Sequence, residues 1–206
     1  MSLSPLYAAH RLTAGAAANL HTLEVFLDFT CPFSAKLWKT LYRQVVPHVQ
    51  SLNLPVTIIF RHQVQPWHPN STLLHEASLA VEKLNPSGFP GFADVLFDKQ
   101  REYFDEATVN LTRNQIYSKL AELALSINAI DDRQTLLQLL DIESSDDPQN
   151  TGNAISTDLK YHIRLGRAQG IHISPTVVFD GIRDDSVSSS WTFQQWQDWL
   201  LPKVSK

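Results

Sequence analysis

The stretch Leu23 to Trp38, LEVFLDFTCPFSAKLW, holds the only cysteine of the chain at the point where two periodicities meet. Leu23 to Thr30 is a short, nearly continuous apolar and aromatic run, the pattern of a strand buried on both faces of a sheet. Pro32 suits a first helical turn, where its missing N–H leaves no bond unmade. Behind it Leu37, Trp38, Leu41, Tyr42 and Val45 recur at three- and four-residue spacing, so a helix follows directly. Cys31 is therefore expected between a core strand and the start of a helix. Pro47 is expected to kink or end that helix.

Working outward, Leu54 to Gln63 (LPVTIIFRHQ) is β-branched and apolar and reads as a second strand, which makes a right-handed βαβ unit. From Ser71 to about Leu140 four segments have helical periodicity, a helical block of about 70 residues. Glu143 to Asn153 (ESSDDPQNTGN) is a loop by composition. AISTDLKYHIRLGRAQG then reads as a helix with Gly170 as its C-terminal cap. SPTVVFDGIRDDS reads as a strand, an Asp180-Gly181 turn and a short returning strand. The closing segment is an amphipathic helix with Trp191, Trp196 and Trp199 on or near its apolar side.

The 206 residues are 43% hydrophobic and 18% charged, with five Trp, ten Phe and five Tyr, which is enough apolar area for a folded core. A formal charge of -4 without a basic cluster gives no electrostatic basis for binding nucleic acid or an anionic membrane. The start, MSLSPLYAAHRLTAGAAANLH, lacks a basic segment followed by an apolar one, so neither signal peptide nor anchor is expected. Its Ala- and Ser-rich character leaves a weak mitochondrial presequence as the minor alternative. One cysteine permits no internal disulfide, and a cytoplasmic location is the expectation that follows.

With the order βαβ, helices, α, ββ, α in view, LEVFLDFTCPFS and AQGIHISPTVVFDG together resemble the DsbA-like branch of the thioredoxin superfamily. The first matches its strand-then-CPxC motif, and the second its Ser- or Thr-Pro-Thr before a strand. The resemblance implies an α/β protein with a thioredoxin fold and an inserted helical domain. Residues 1–66 and 154–206 would form the thioredoxin-like domain and 67–153 the helical insertion. It also implies that Pro175 is cis and lies beside the thiol, with the backbone of Ser174 pairing with an extended peptide or with glutathione. Pro32, Phe33, Ser174 and Pro175 are the expected substrate-binding residues.

A thiol at a helix N-terminus meets unpaired N–H groups and the positive end of the helix dipole, which favour its thiolate. In the resembling enzymes a second cysteine three residues on resolves the mixed disulfide, and here that position is Ser34. The expected chemistry is one-thiol exchange at Cys31, with Ser34 donating a hydrogen bond to the thiolate and glutathione as co-substrate. No bound cofactor is expected. The partners are then a small thiol or disulfide-bearing substrate, or a peptide or protein. Kappa-class glutathione transferases and 2-hydroxychromene-2-carboxylate isomerases are similar in architecture, which adds a glutathione-dependent transferase or isomerase, although they carry Ser where this chain has Cys31. A thioredoxin fold that only binds a partner in the groove beside Pro175 is the alternative from another class. A peroxidase reading is disfavoured because Asp28, three residues before the cysteine, would repel a developing anion.

Asp28 reads either as a buried carboxylate near the thiol or as half of a salt bridge elsewhere. His62, His68 and His75 share no tight ligand spacing with a cysteine or a carboxylate pair, so no metal site is expected. HQVQPWHP reads as a polar loop pinned by two prolines, with His62 and Gln63 reaching the mouth of the site as the alternative.

Overall fold

Alternation along the two long strands decides which residues meet. The computed structural model describes residues 3–13 and 21–204. The Ala-rich part of the start on which the presequence expectation rests, 14–20, lies outside the described residues. Strand β1 (His21–Leu27) pairs in parallel with β2 (Val56–His62), from His21 opposite Val56 to Leu27 opposite His62. It pairs antiparallel on its other side with β3 (Thr176–Phe179), and β3 forms a hairpin with β4 (Ile182–Arg183). The sheet order is β2-β1-β3-β4. Asp180 and Gly181 make the hairpin turn at φ 48° and 81°, the left-handed conformations that a two-residue turn requires.

One face of the sheet carries Leu23, Val25, Leu27, Ile58, Phe60 and Val177 into the main core. The opposite face carries Phe26 and Val178 against Ile171. The same period places His62 on the face of Phe60, pointing toward the helices rather than toward solvent. Glu24 and Arg61, both fully buried, join β1 to β2 through Arg61 Nε donating to Glu24 Oε2 at 2.6 Å. At this burial a paired guanidinium and carboxylate hold register, since either alone would be an uncompensated charge.

The βαβ connection is α1 (Pro32–Thr40), a π turn (Leu41–Val45) and α2 (Val46–Ser51), one continuous run. Pro47 neither ends nor breaks it. The Val46 N–H bonds back five residues to the Leu41 carbonyl, and this wider turn makes room for a proline in the helix interior. The first strand is shorter than its apolar run suggests, because Asp28 to Thr30 turn away to deliver Cys31 to α1.

The helices between β2 and β3 are α3 (Ser71–Leu84), α4 (Phe89–Lys99), α5 (Asp105–Thr108), α6 (Arg113–Ser126), α7 (Arg133–Leu140) and α8 (Ser156–Ala168). Helix α9 (Phe193–Val204) closes the chain and buries Trp196. A single hydrophobic cluster runs from the sheet through Trp38 and Phe97 to Leu79, Tyr117 and Leu136, so sheet and helical block share one core. Gly170, at φ 66°, caps α8 as its sequence position suggests.

Gly88, in the short turn between α3 and α4, allows the closest approach of that turn to the loop after α6. A Cβ there would lie 2.5 Å from the Ala129 carbonyl oxygen and 3.0 Å from its Cα, both backbone atoms. Gly88→Ala is expected to cost about 1–3 kcal/mol by overpacking, a fall in Tm of several degrees. A thermal melt at the wild-type midpoint would show that the loop after α6 gives way freely.

Candidate active site

Cys31 sits at the N-cap of α1 with its backbone extended (φ -82°, ψ 119°), and Pro32 opens the helix. The thiol is nearly buried, 4% exposed, and its Sγ lies 3.4 Å from the Ser174 carbonyl oxygen, to which it donates. The Ser174–Pro175 peptide is cis. The tertiary fold thus joins two segments more than half the chain apart, and Cys31, Ser174 and Pro175 stand together. Phe33 lies next to them and is 62% exposed, an apolar ring presented to solvent beside the thiol.

Ser34 is fully buried, and its Oγ accepts the Asp28 N–H at 3.2 Å. Among the described residues no hydrogen bond links Ser34 to Cys31. The hydroxyl expected to serve the thiolate instead fastens the loop that carries it.

The loop is held chiefly by Asp28, whose carboxylate is completely buried. Oδ1 accepts the Thr30 N–H and the Thr30 hydroxyl, both at 2.8 Å. Oδ2 accepts the Gln65 N–H and His68 Nδ1, both at 3.0 Å. From the other side Gln100, at the end of α4, donates its Nε2 to the Phe29 and Cys31 carbonyls at 2.9 and 3.3 Å. Of the two readings of Asp28, the buried carboxylate beneath the thiol loop is the one observed. His68 also reaches the surface, where it lines a cleft of about 390 Å³ with Thr30, Pro32, Phe104, Asp105 and Glu106. The contribution of His68 and Gln100 left no trace in the sequence, since each acts across a tertiary contact.

His62 points inward, not to the mouth of the site, and meets His10, His75 and His162. The ring centroids of His10, His62 and His162 are 4.8–5.1 Å apart in pairs. All four imidazoles are buried. Burial lowers every one of them: His10 to about 3, His162 to about 2, His75 to about 4 despite the nearby Asp28, and His62 well below the ordinary value. Burial likewise raises Glu82, beside His10, to about 8. Spacing arguments miss this group because it draws on the short 3-10 turn Pro5–His10, the end of β2, α3 and α8.

No protein-family model and no curated protein matches the chain. Its fold is similar to that of solved structures. A proposed protein-disulfide isomerase from Pseudomonas syringae superposes with a TM-score of 0.70 at 22% identity, over 94% of this chain and 98% of that one. BdbD from Bacillus subtilis gives 0.65 at 19% identity, over 96% and 94%. MdbA, a thiol-disulfide oxidoreductase from Corynebacterium diphtheriae, gives 0.62 at 18% identity, over 88% and 85%. The cytoplasmic expectation is corrected by this likeness, because sharing the fold of BdbD and MdbA points away from the cytoplasm. The cysteine count that prompted it excludes an internal disulfide in any compartment and so does not choose between them.

Two measurements follow from the site's buried polar groups. Asp28→Ala leaves four donors beneath the loop without their acceptor and is expected to cost about 2–4 kcal/mol, read as a lower urea midpoint. A variant as stable as wild type would mean that the loop does not depend on the carboxylate. In chelator-containing buffer, stability is expected to fall as pH drops below about 6.5. There the unfolded histidines take up protons that the buried ones refuse, each costing up to about 1.4 kcal/mol per pH unit. Glu82, protonated in the folded chain, opposes this with one group against four. A urea midpoint constant between pH 7 and 5 would contradict the burial of the neutral rings. The protein has the DsbA-like thioredoxin fold with an inserted helical domain.

Proposed function

We propose that the protein is a monothiol thiol–disulfide oxidoreductase that exchanges disulfides through Cys31, with an external thiol such as glutathione completing the cycle. The observation that carries this reading is the placement of the Cys31 Sγ at the start of α1 and 3.4 Å from the Ser174 carbonyl oxygen. The fold shared with thiol-disulfide oxidoreductases supports it.

The Cys31 thiol gives up its proton, and the thiolate attacks one sulfur of a substrate disulfide. The Cys31–substrate S–S bond forms as the substrate's own S–S bond breaks, and the leaving thiolate takes up a proton. Because residue 34 is a serine, no thiol in this chain can attack the mixed disulfide. The external thiolate does so, leaving in a new disulfide with the substrate half and restoring Cys31. Each step exchanges one disulfide for another, so no net oxidant is consumed.

Pro32, Phe33, Ser174 and Pro175 form the docking edge, extended by Trp67 and Ile173, which are 58% and 49% exposed beside His68 and Ser174. Exposed apolar rings flanking a recessed thiol suit an extended apolar peptide that bears the disulfide. The same exposure favours a second reading, a groove that binds a partner without exchange.

Intact mass after incubation with oxidised glutathione tests the proposal. One glutathionyl group on Cys31, removed by reduced glutathione, is the expected result, with no adduct on Cys31→Ser and with exchange of a disulfide-bearing peptide reduced to the uncatalysed rate. Wild type that forms no adduct, together with a Cys31→Ser variant that still binds the peptide, would leave the binding groove as the function.

A further inference from the structure

Three of the buried imidazoles stand apart from the thiol chemistry, and their packing is not that of ordinary core histidines. Among the described residues, no protein group hydrogen-bonds either nitrogen of His162, either nitrogen of His10, or Nε2 of His62. His10 Nε2 lies 2.9 Å from Glu82 Oε2 but without the alignment of a hydrogen bond, and Glu82 Oε1 is also unbonded. So many unmet polar atoms in one place need a partner that the protein itself does not supply.

We propose that His10, His62 and His162 are the nitrogen ligands of a buried site for a divalent transition-metal ion of the Zn2+ class, with the Glu82 carboxyl group beside it.

The ring positions already fit. Tetrahedral ligation at Zn–N distances of about 2.0–2.1 Å sets imidazole centroids about 5 Å apart. The three pairs here stand at 4.9, 5.1 and 4.8 Å. Their ligand atoms lie within 4.8 Å of one another, wider than the roughly 3.4 Å of a tetrahedral set. Closing that gap asks the rings to pivot about their centres, not to move through the core.

The surroundings fit as well. His62 Nδ1 is 2.6 Å from His75 Nδ1. With the proton on His62 Nδ1, its Nε2 is left as the metal-facing lone pair, and the second ring orients the first as an outer partner of a metal-bound histidine does. His75 Nε2 then faces Asp28 Oδ1 across 3.9 Å, so the ion would sit two rings behind the thiol loop. Phe60, Phe89 and Tyr7 pack on the ligand rings and keep the site dry. The positive Arg61 on the far sheet face is matched by Glu24. Gln63 and Ile163, next in chain to two ligands, line a surface cleft of about 360 Å³, the side from which an ion would enter. Nitrogen donors with one carboxylate select Zn2+ or its neighbours over Mg2+ and Ca2+.

The site ties the turn Pro5–His10, β2, α3 and α8 together, so its consequence is structural. This inference does not depend on the oxidoreductase reading.

The test uses the untagged full-length chain, stripped with chelator and loaded with Zn2+ or Co2+ before desalting. One ion retained per chain, a raised Tm, a tetrahedral Co2+ visible spectrum and about three imidazoles by X-ray absorption are expected. His10→Phe and His162→Phe preserve aromatic volume and should each lose at least roughly tenfold in Co2+ affinity, whereas His172→Ala, on an exposed loop, should not. A folded wild-type chain that retains neither ion would overturn the site, leaving buried water as the partner of these rings. Retention by His162→Phe equal to wild type would overturn it too, as would fewer than two imidazoles around the ion, a readout that stands even if the variants fail to fold.

Discussion

The buried Asp28 carboxylate is the constraint on which the thiol's position rests. A charge without solvent must be met by donors, and this one is met by four from two segments: Thr30 beside the cysteine, and Gln65 and His68 beyond β2. Those bonds fold the end of β1 into the turn that presents Cys31 and fasten it to the neighbouring loop. Ser34 and Gln100 complete the frame by engaging the Asp28 N–H and the Phe29 and Cys31 carbonyls. The thiol sits on a loop whose backbone is held on both sides, with freedom left mainly to its sulfur.

That frame stands on a core that does not separate sheet from helices. Phe29, on the thiol loop, stacks on Phe60 of β2 and tilts against Phe97 of α4. Trp38 of α1 meets the same Phe97, and its indole N–H donates to Asp94 at 2.9 Å. The inserted helices therefore supply one wall of the site as well as Gln100. Against so apolar an interior the polar interruptions stand out: Glu24 with Arg61 on one sheet face, and the four imidazoles with Glu82 on the other. The first sets a cation against an anion. The second leaves donors and acceptors unmet among the described residues, and burial alone would make that costly.

The strand-to-helix junction at Cys31 was legible because strand and helix write different periods, and Pro32 marks the change. The hairpin was legible from Asp180-Gly181, and the cap of α8 from Gly170, because each demands a backbone conformation few residues tolerate. The continuation of the first helix through Pro47 was not, since a wider turn that absorbs a proline leaves no mark on spacing. Ser34 was read as a partner of the thiol, yet its oxygen faces the Asp28 amide, a direction that helical position alone does not set.

The sequence by itself determined the order of elements, the one-thiol limit at Cys31 and Ser34, and the two motifs that meet at the site, because these depend on local periodicity and residue type. Only the tertiary structure decided what meets what. It set Ser174 against the thiol, Asp28 under the loop with His68 and Gln65, and His10 and His162 around His62. Those juxtapositions arise from how helices pack on a twisted sheet, and no pattern within a single segment encodes the distance between two of them.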